Sequence, residues 1–205
     1  FSDLQNIPEE YMTLLTTSIY DNNIIINCGQ TGNNDYDFLY KYSIYDNTWD
    51  FITTNPTLVI DRYANGEVIE NNLYRFNGSY NSGQLEIINL DDGSVSYGAQ
   101  NPNPVRQAGS INDGEGIYFF GGVNDEGFSN KMYYYDISTN SWTELSNLPR
   151  ATSNLRGELF ENKLYAIGGY DGSVSNSIDV YNLETDTWEI QYELPYEVSS
   201  HATAI

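Results

Sequence analysis

One motif recurs along the chain and constrains its fold more than any other feature. Aligned on tryptophan, YSIYDNTW ends at Trp49, YDISTNSW at Trp142 and YNLETDTW at Trp188, each with a tyrosine seven residues earlier: Tyr42, Tyr135 and Tyr181. The last two tryptophans are 46 residues apart and the first two 93, close to two periods. A unit without the rings belongs in the gap, and IINLDDGSV supplies it, with Ile88 in the tyrosine place and Val95 in the tryptophan place. Tyr97, two residues on and therefore on the same strand face, is expected to fill the missing ring's space. Glycines keep the same beat: IIINCG ends at Gly29, LYRFNG at Gly78, IYFFGG at Gly122 and LYAIGG at Gly169. Self-similarity at such a period marks a repeat architecture, in which each unit buries its apolar faces only against its neighbours.

Each unit reads as four strands, shown best by SNLRGELF, KLYAIGG, SIDVYNL and TWEIQYEL in the fourth. Short apolar and alternating runs are broken by ENK, YDGSVSN and ETD, and no helical period intervenes. Large rings such as Trp188 are expected to fill the wedge between stacked sheets. The glycines are expected where the inner strand ends and the backbone turns or passes close to a neighbour. Cys28 and Asn77 replace the first glycine in two units, which are therefore expected to turn differently.

The double glycine, the spaced tyrosine and tryptophan and the period together resemble the kelch repeat, and the likeness covers nearly the whole chain. It implies an all-β, kelch-type β-propeller: four four-stranded blades plus the first strand of another repeat. The single propeller region, 1–205, divides into repeats at about 8–54, 55–102, 103–147 and 148–193, with a further one starting at 194–205. In kelch proteins one terminus usually supplies a strand missing from the blade at the other. Here MTLLTTSI already gives unit one its first strand, yet LPYEVSSHATAI matches LPRATSNLRGEL. The surplus strand is expected either because the blades form part of a larger propeller or because it serves self-association with another copy.

Composition narrows the functions. A net charge of −21, from 29 acidic and 8 basic residues, repels nucleic acid and anionic lipid, whose binding depends on Lys and Arg. No apolar run is long enough to span a bilayer as a helix. Cys28 is the only cysteine, which rules out an intrachain disulfide. The Asn-, Asp-, Thr- and Tyr-rich, Lys-poor composition points to an extracellular or cell-surface setting.

No catalytic constellation stands out: there is no nucleophile elbow and no phosphate-cradling loop. No cofactor is expected. His201 is the only histidine, so a copper site like that of kelch-type oxidases is not expected, and His201 reads as a structural residue of a repeat start. Acidic turns such as NNDYD, DDG and NDEG lack EF-hand spacing and read as solvated turns rather than metal sites.

The candidate binding residues lie in the loops. Arg106 and Arg150 are read as holding matching places before a repeat's first strand, with Arg62 a few residues after the corresponding Pro56. The kelch resemblance implies that these segments and the post-glycine loops emerge on one face, near the central mouth. Several arginines there would suit a carboxylate-bearing ligand; the alternative is internal pairing with acids or carbonyls. The post-glycine loops vary where the strands are regular, and such loops on a rigid scaffold carry recognition. They offer Tyr36, Tyr80, Asp125, Glu126, Phe128, Tyr170 and Asp171. The leading expectation is a non-catalytic module recognising a protein or glycan. The alternatives are a kelch-type sugar enzyme, such as a sialic acid mutarotase, and a structural segment of a larger cell-surface protein.

Overall fold

The computed structural model describes residues 12–13, 16–31, 34–53, 65–76, 83–201 and 203. Its described elements are all strands, and the chain divides into two compact units, 1–100 and 101–205. Among the described residues the first unit holds two antiparallel sheets, and the second holds two with a small two-stranded hairpin beside them.

In the first sheet β1 (Met12–Thr13) and β2 (Thr16–Tyr20) both pair with β3 (Asn23–Thr31), followed by β4 (Asn34–Ser43) and β5 (Thr48–Thr53). β1 and β2 meet opposite ends of β3, Met12 facing Thr31 and Ile19 facing Ile24. Together they occupy the place of one first strand. The second sheet runs β6 (Asn65–Ile69), β7 (Asn72–Phe76), β8 (Leu85–Asn89) and β9 (Val95–Tyr97). In the second unit, β10 (Gly109–Asn112) and β11 (Gly116–Phe120) are followed by a small hairpin, β12 (Val123–Asn124) and β13 (Gly127–Phe128). β14 (Met132–Asp136) and β15 (Ser141–Leu145) complete the third sheet. The fourth is β16 (Arg156–Phe160), β17 (Lys163–Ile167), β18 (Ser175–Asn182) and β19 (Thr187–Val198).

Register superimposes the repeats column by column. Tyr42, Ile88, Tyr135 and Tyr181 of the third strands face Trp49, Val95, Trp142 and Trp188 of the fourth. In the three ringed sheets the Tyr and Trp centroids lie 4.8, 5.1 and 5.2 Å apart. The hairpin between them carries a residue in the left-handed region, Asn47, Asn140 or Asp186, a conformation for which Asn and Asp are several-fold enriched. Its side chain accepts the tyrosine hydroxyl at 2.8, 2.8 and 2.6 Å. The second sheet has Gly93 at that place, also left-handed, and Ile88 has no hydroxyl to satisfy. Loss of the rings and loss of the side chain between them therefore go together.

Packing follows the same alternation. Ile25, Leu39, Leu73, Ile88 and Leu90 form the core of the first unit, with Val95 against it. Phe120, Met132, Leu148, Leu155, Leu164, Ala166 and Tyr181 form that of the second, with Trp188 against it. Trp188 is partly rather than fully buried, because its indole Nε1 reaches the Ser146 carbonyl at 2.9 Å, on the chain that follows β15. Tyr97 does not take over the missing indole's role. It faces Glu86 and is 54% exposed, whereas Val95 packs against the core.

Candidate functional site

The geometry of the loop edge begins at the glycines. In the second unit Gly121, Gly122, Gly168 and Gly169 all have positive φ, which ends β11 and β17 and turns the chain outward. A Cβ on Gly122 would lie 2.5 Å from the Val105 side chain, and one on Gly169 2.5 Å from Thr152 Oγ1. Both approaches are closer than any real Cβ tolerates, so these corners require glycine. The first sheet differs, as the Cys28 substitution leads one to expect: β3 runs on through Cys28 and Gly29 to Thr31, with a register shift between Asn27 and Gly29. Asn77 lies outside the described residues.

Beyond each corner the post-glycine loop lies beside the segment that leads into the same sheet. Arg106 pairs with Val123 through two backbone hydrogen bonds of 3.0 and 2.9 Å, and Ser153 pairs with Tyr170 through two of 2.9 and 2.7 Å. This register corrects one reading of the sequence. Arg106 matches Ser153, so Arg106 and Arg150 do not hold equivalent places. The same geometry recurs after β19: the Gly169 amide donates to the Val198 carbonyl as Gly122 does to that of Thr152, and Gln107, Asn154 and Ser200 all have positive φ.

The structure brings together four of the candidate residues directly. Phe128, on β13, meets Tyr170, from the next loop, edge to face, with ring centroids 6.0 Å apart. The rings remain 37% and 38% exposed. Arg106 Nη1 approaches Asp125 Oδ1 at 3.8 Å, where the Asp125 side chain is fully exposed. Glu126 and Asp171, two residues before Phe128 and one after Tyr170, are exposed. The loops are well fixed. Val123 pairs with Phe128 in the hairpin, the Glu126 amide donates to Asn124 Oδ1 at 2.9 Å, and Ser153 Oγ donates to the Tyr170 carbonyl at 3.2 Å.

Arg150 is engaged inside its own sheet. Nε donates to Asp179 Oδ2 at 2.7 Å, Nη1 to Thr152 Oγ1 at 3.3 Å and Nη2 to the Gly168 carbonyl at 2.5 Å. Arg62, Tyr80 and the Tyr36 side chain lie outside the described residues; the Tyr36 backbone pairs with Gly29. His201 packs at the Gly168 corner, its Cε1 3.0 Å from where a Cβ would stand. Burial first, and then the nearby Arg156, push its pKa down.

Sequence reading passed over the most buried charges. Arg75 and Glu86 face each other across β7 and β8, with Nη2 2.6 Å and Nε 2.7 Å from Glu86 Oε2, at 2% and 1% side-chain exposure. Arg75 Nη1 also reaches Asn27 Oδ1 at 3.4 Å. The repeat columns held the signal: Glu86 and Asp179 occupy the place that Tyr40 and Tyr133 hold in the other two sheets.

Comparison with known proteins agrees with this geometry. The KLHDC2/KLHL20/DRC7 Kelch-repeats domain model matches residues 14–205. Spermatocyte protein spe-26 of Caenorhabditis elegans is 31% identical over 106 residues, covering 48% of this chain and 18% of that protein. Kelch-like protein 25 of Xenopus tropicalis is 25% identical over 165 residues, covering 77% of this chain and 27% of that protein. The chain thus spans about a fifth to a quarter of the length of these relatives. The solved structure of YjhT superimposes with a TM-score of 0.83 at 14% identity, over 96% of this chain and 75% of that one; the likeness shows the fold alone. The described sheets are kelch blades of the β-propeller class, and the chain belongs to the KLHDC2/KLHL20/DRC7 Kelch-repeats family.

Proposed function

We propose that this chain is a protein-interaction module, and that partners dock on the loop edge of its third and fourth blades. The observation that carries the reading is the Phe128–Tyr170 pair. Two large rings, from loops 42 residues apart in sequence, meet at the surface and stay more than one-third exposed. Aromatic residues held in place on a rigid frame lose little entropy on binding and are the commonest anchors of protein interfaces. Kelch family membership and the similarity to Kelch-like protein 25 support the same class of function. Arg150, a candidate for a carboxylate-bearing ligand, directs its donors to Asp179, Thr152 and Gly168 instead.

The test is selection of binders from a displayed random dodecapeptide library, followed by affinity measurement against the wild type and the double variant Phe128→Ala/Tyr170→Ala. Selected peptides are expected to lose at least about tenfold in affinity for the variant, the size of a hot-spot truncation of 1.4 kcal/mol or more. Peptides that bind both proteins equally would move the contact surface elsewhere.

A further inference from the structure

We infer that the element seated on Phe128 and Tyr170 is a cationic side chain, Lys or Arg, of a basic partner segment; this rests on the loop-edge reading above. The rings by themselves would suit any flat apolar group or a sugar face. What selects among these is their setting. Asp125 and Glu126 form the turn of the β12–β13 hairpin that carries Phe128, and Asp171 follows Tyr170 in the chain. Three carboxylates therefore lie within three residues of the two rings along the chain.

Among the described residues Glu126 and Asp171 make no ion pair, and Asp125 makes one long contact, with Arg106. Asp125 is fully exposed and its contact with Arg106, at 3.8 Å, is beyond hydrogen-bond length. Asp171 Oδ1 accepts from Ser173, from the amide at 3.4 Å and the hydroxyl at 3.3 Å. Glu126 is exposed, and the whole chain carries a net charge of −21. An anionic or neutral partner would have to desolvate these carboxylates without compensation. A guanidinium or ammonium compensates them while its cationic face lies on the negative face of a ring. The same arrangement rejects acidic partners by repulsion, which gives specificity as well as affinity.

The probes are the selected dodecapeptides and their uncharged twins, with each Arg replaced by citrulline and each Lys by norleucine. Three proteins are compared: wild type, Phe128→Ala/Tyr170→Ala and the charge variant Asp125→Asn/Glu126→Gln/Asp171→Asn. The exposed positions of the charge variant leave the fold intact, which thermal unfolding checks. The expected result is that selected peptides carry Lys or Arg, that the twins bind wild type at least about tenfold more weakly, and that both variants lose affinity for the charged peptide. Affinity should also fall as salt rises. Ring-dependent peptides without basic residues, or twins that bind as well as their parents, would overturn the cationic occupant and leave the docking surface standing. Basic peptides that bind the ring variant as tightly as wild type would reduce the effect to diffuse attraction by an acidic protein and overturn the inference. A selection that yields no binder would overturn both readings.

Discussion

The second and fourth blades solve the same packing problem with opposite chemistry. In the fourth, Tyr181, Asp186 and Trp188 form a linked set: hydroxyl to carboxylate at 2.6 Å, ring to ring at 5.2 Å, and indole to the Ser146 carbonyl at 2.9 Å. In the second, the same three places hold Ile88, Gly93 and Val95, which have no polar group to satisfy. Both blades then bury an acid two residues before the Tyr or Ile column, Glu86 or Asp179, each at 1% exposure. The cations come from different places. Arg75 stands directly across the ladder from Glu86, whereas Ala166 stands across from Asp179 and Arg150 arrives from the lead-in segment. The Tyr–Asp–Trp set of one blade is thus replaced as a whole in another, while the buried acid is kept and its cation is supplied from elsewhere.

The comparison is broken most forcefully at Glu86. Glu86→Ala takes the carboxylate from the Arg75 guanidinium, which is 2% exposed, and removing one partner of a buried ion pair costs about 3–5 kcal/mol. Replacing both, Arg75→Met with Glu86→Leu, should recover most of that loss, because an apolar pair of similar volume avoids the desolvation of two ions. Urea unfolding of the single and double variants decides it. A double variant as unstable as the single one would mean that the pair holds this blade by something other than mutual neutralisation. Asp179→Asn should cost less than Glu86→Ala, because the Arg150 side chain is 16% exposed and keeps Thr152 and the Gly168 carbonyl as partners.

The ring column gives the next effect. Trp188→Ala is expected to cost about 3 kcal/mol, the low end for losing a core indole because this one is only partly buried. Val95→Ala at the matching place should cost about 1–2 kcal/mol, from two fewer carbons at roughly 0.8 kcal/mol each. Equal losses in urea midpoint would show that the wedge is not filled by the side chain at this column.

The residues that made the fold legible are those whose spacing is set by the backbone. The seven-residue interval from Tyr181 to Trp188 is a hairpin register, and the glycine corners are places where a Cβ collides, so both recur at fixed intervals in the chain. Ile88 and Val95 could be placed by the period although they share no chemistry with their counterparts. The buried ions were less legible. A lone Arg in LYRF looks like any surface residue of an alternating strand until its register partner, eleven positions on, is known to be Glu86. The loop site was legible in part. Variable loops pointed to Phe128, Tyr170, Asp125, Glu126 and Asp171, but the contact between two rings from different blades depends on how blades stack, which no local pattern encodes. The mismatch of Arg106 and Arg150 has a similar cause: Arg106 stands two residues after Pro104 and Arg150 one after Pro149, yet the proline-to-strand distance is not what aligns the blades. The left-handed residues Gln107 and Asn154 are.

The smallest effect separates the fourth blade from the first and third by pH. Asn47 and Asn140 accept their tyrosine hydroxyls without charge, whereas Asp186 does so as a carboxylate. The Tyr181 hydroxyl, and then the Ser146 backbone amide, hold its pKa below the ordinary value near 3.8. A group whose folded pKa is depressed contributes stability that is complete above its unfolded pKa and is lost as pH falls through the folded one. This contribution should therefore begin to fall near pH 4 and be lost as pH drops through the lower folded pKa, while the two Asn latches persist. Asp186→Asn keeps an acceptor for Tyr181 but removes the titration. Its urea midpoint should lie slightly below wild type at pH 6, and the gap should close as pH falls below about 4. The many other carboxylates titrate alike in both proteins, so the difference isolates this one. A gap that stays constant over that range would show that the carboxylate's charge adds nothing to the bond, and that the fourth blade's latch is equivalent to those of its neighbours.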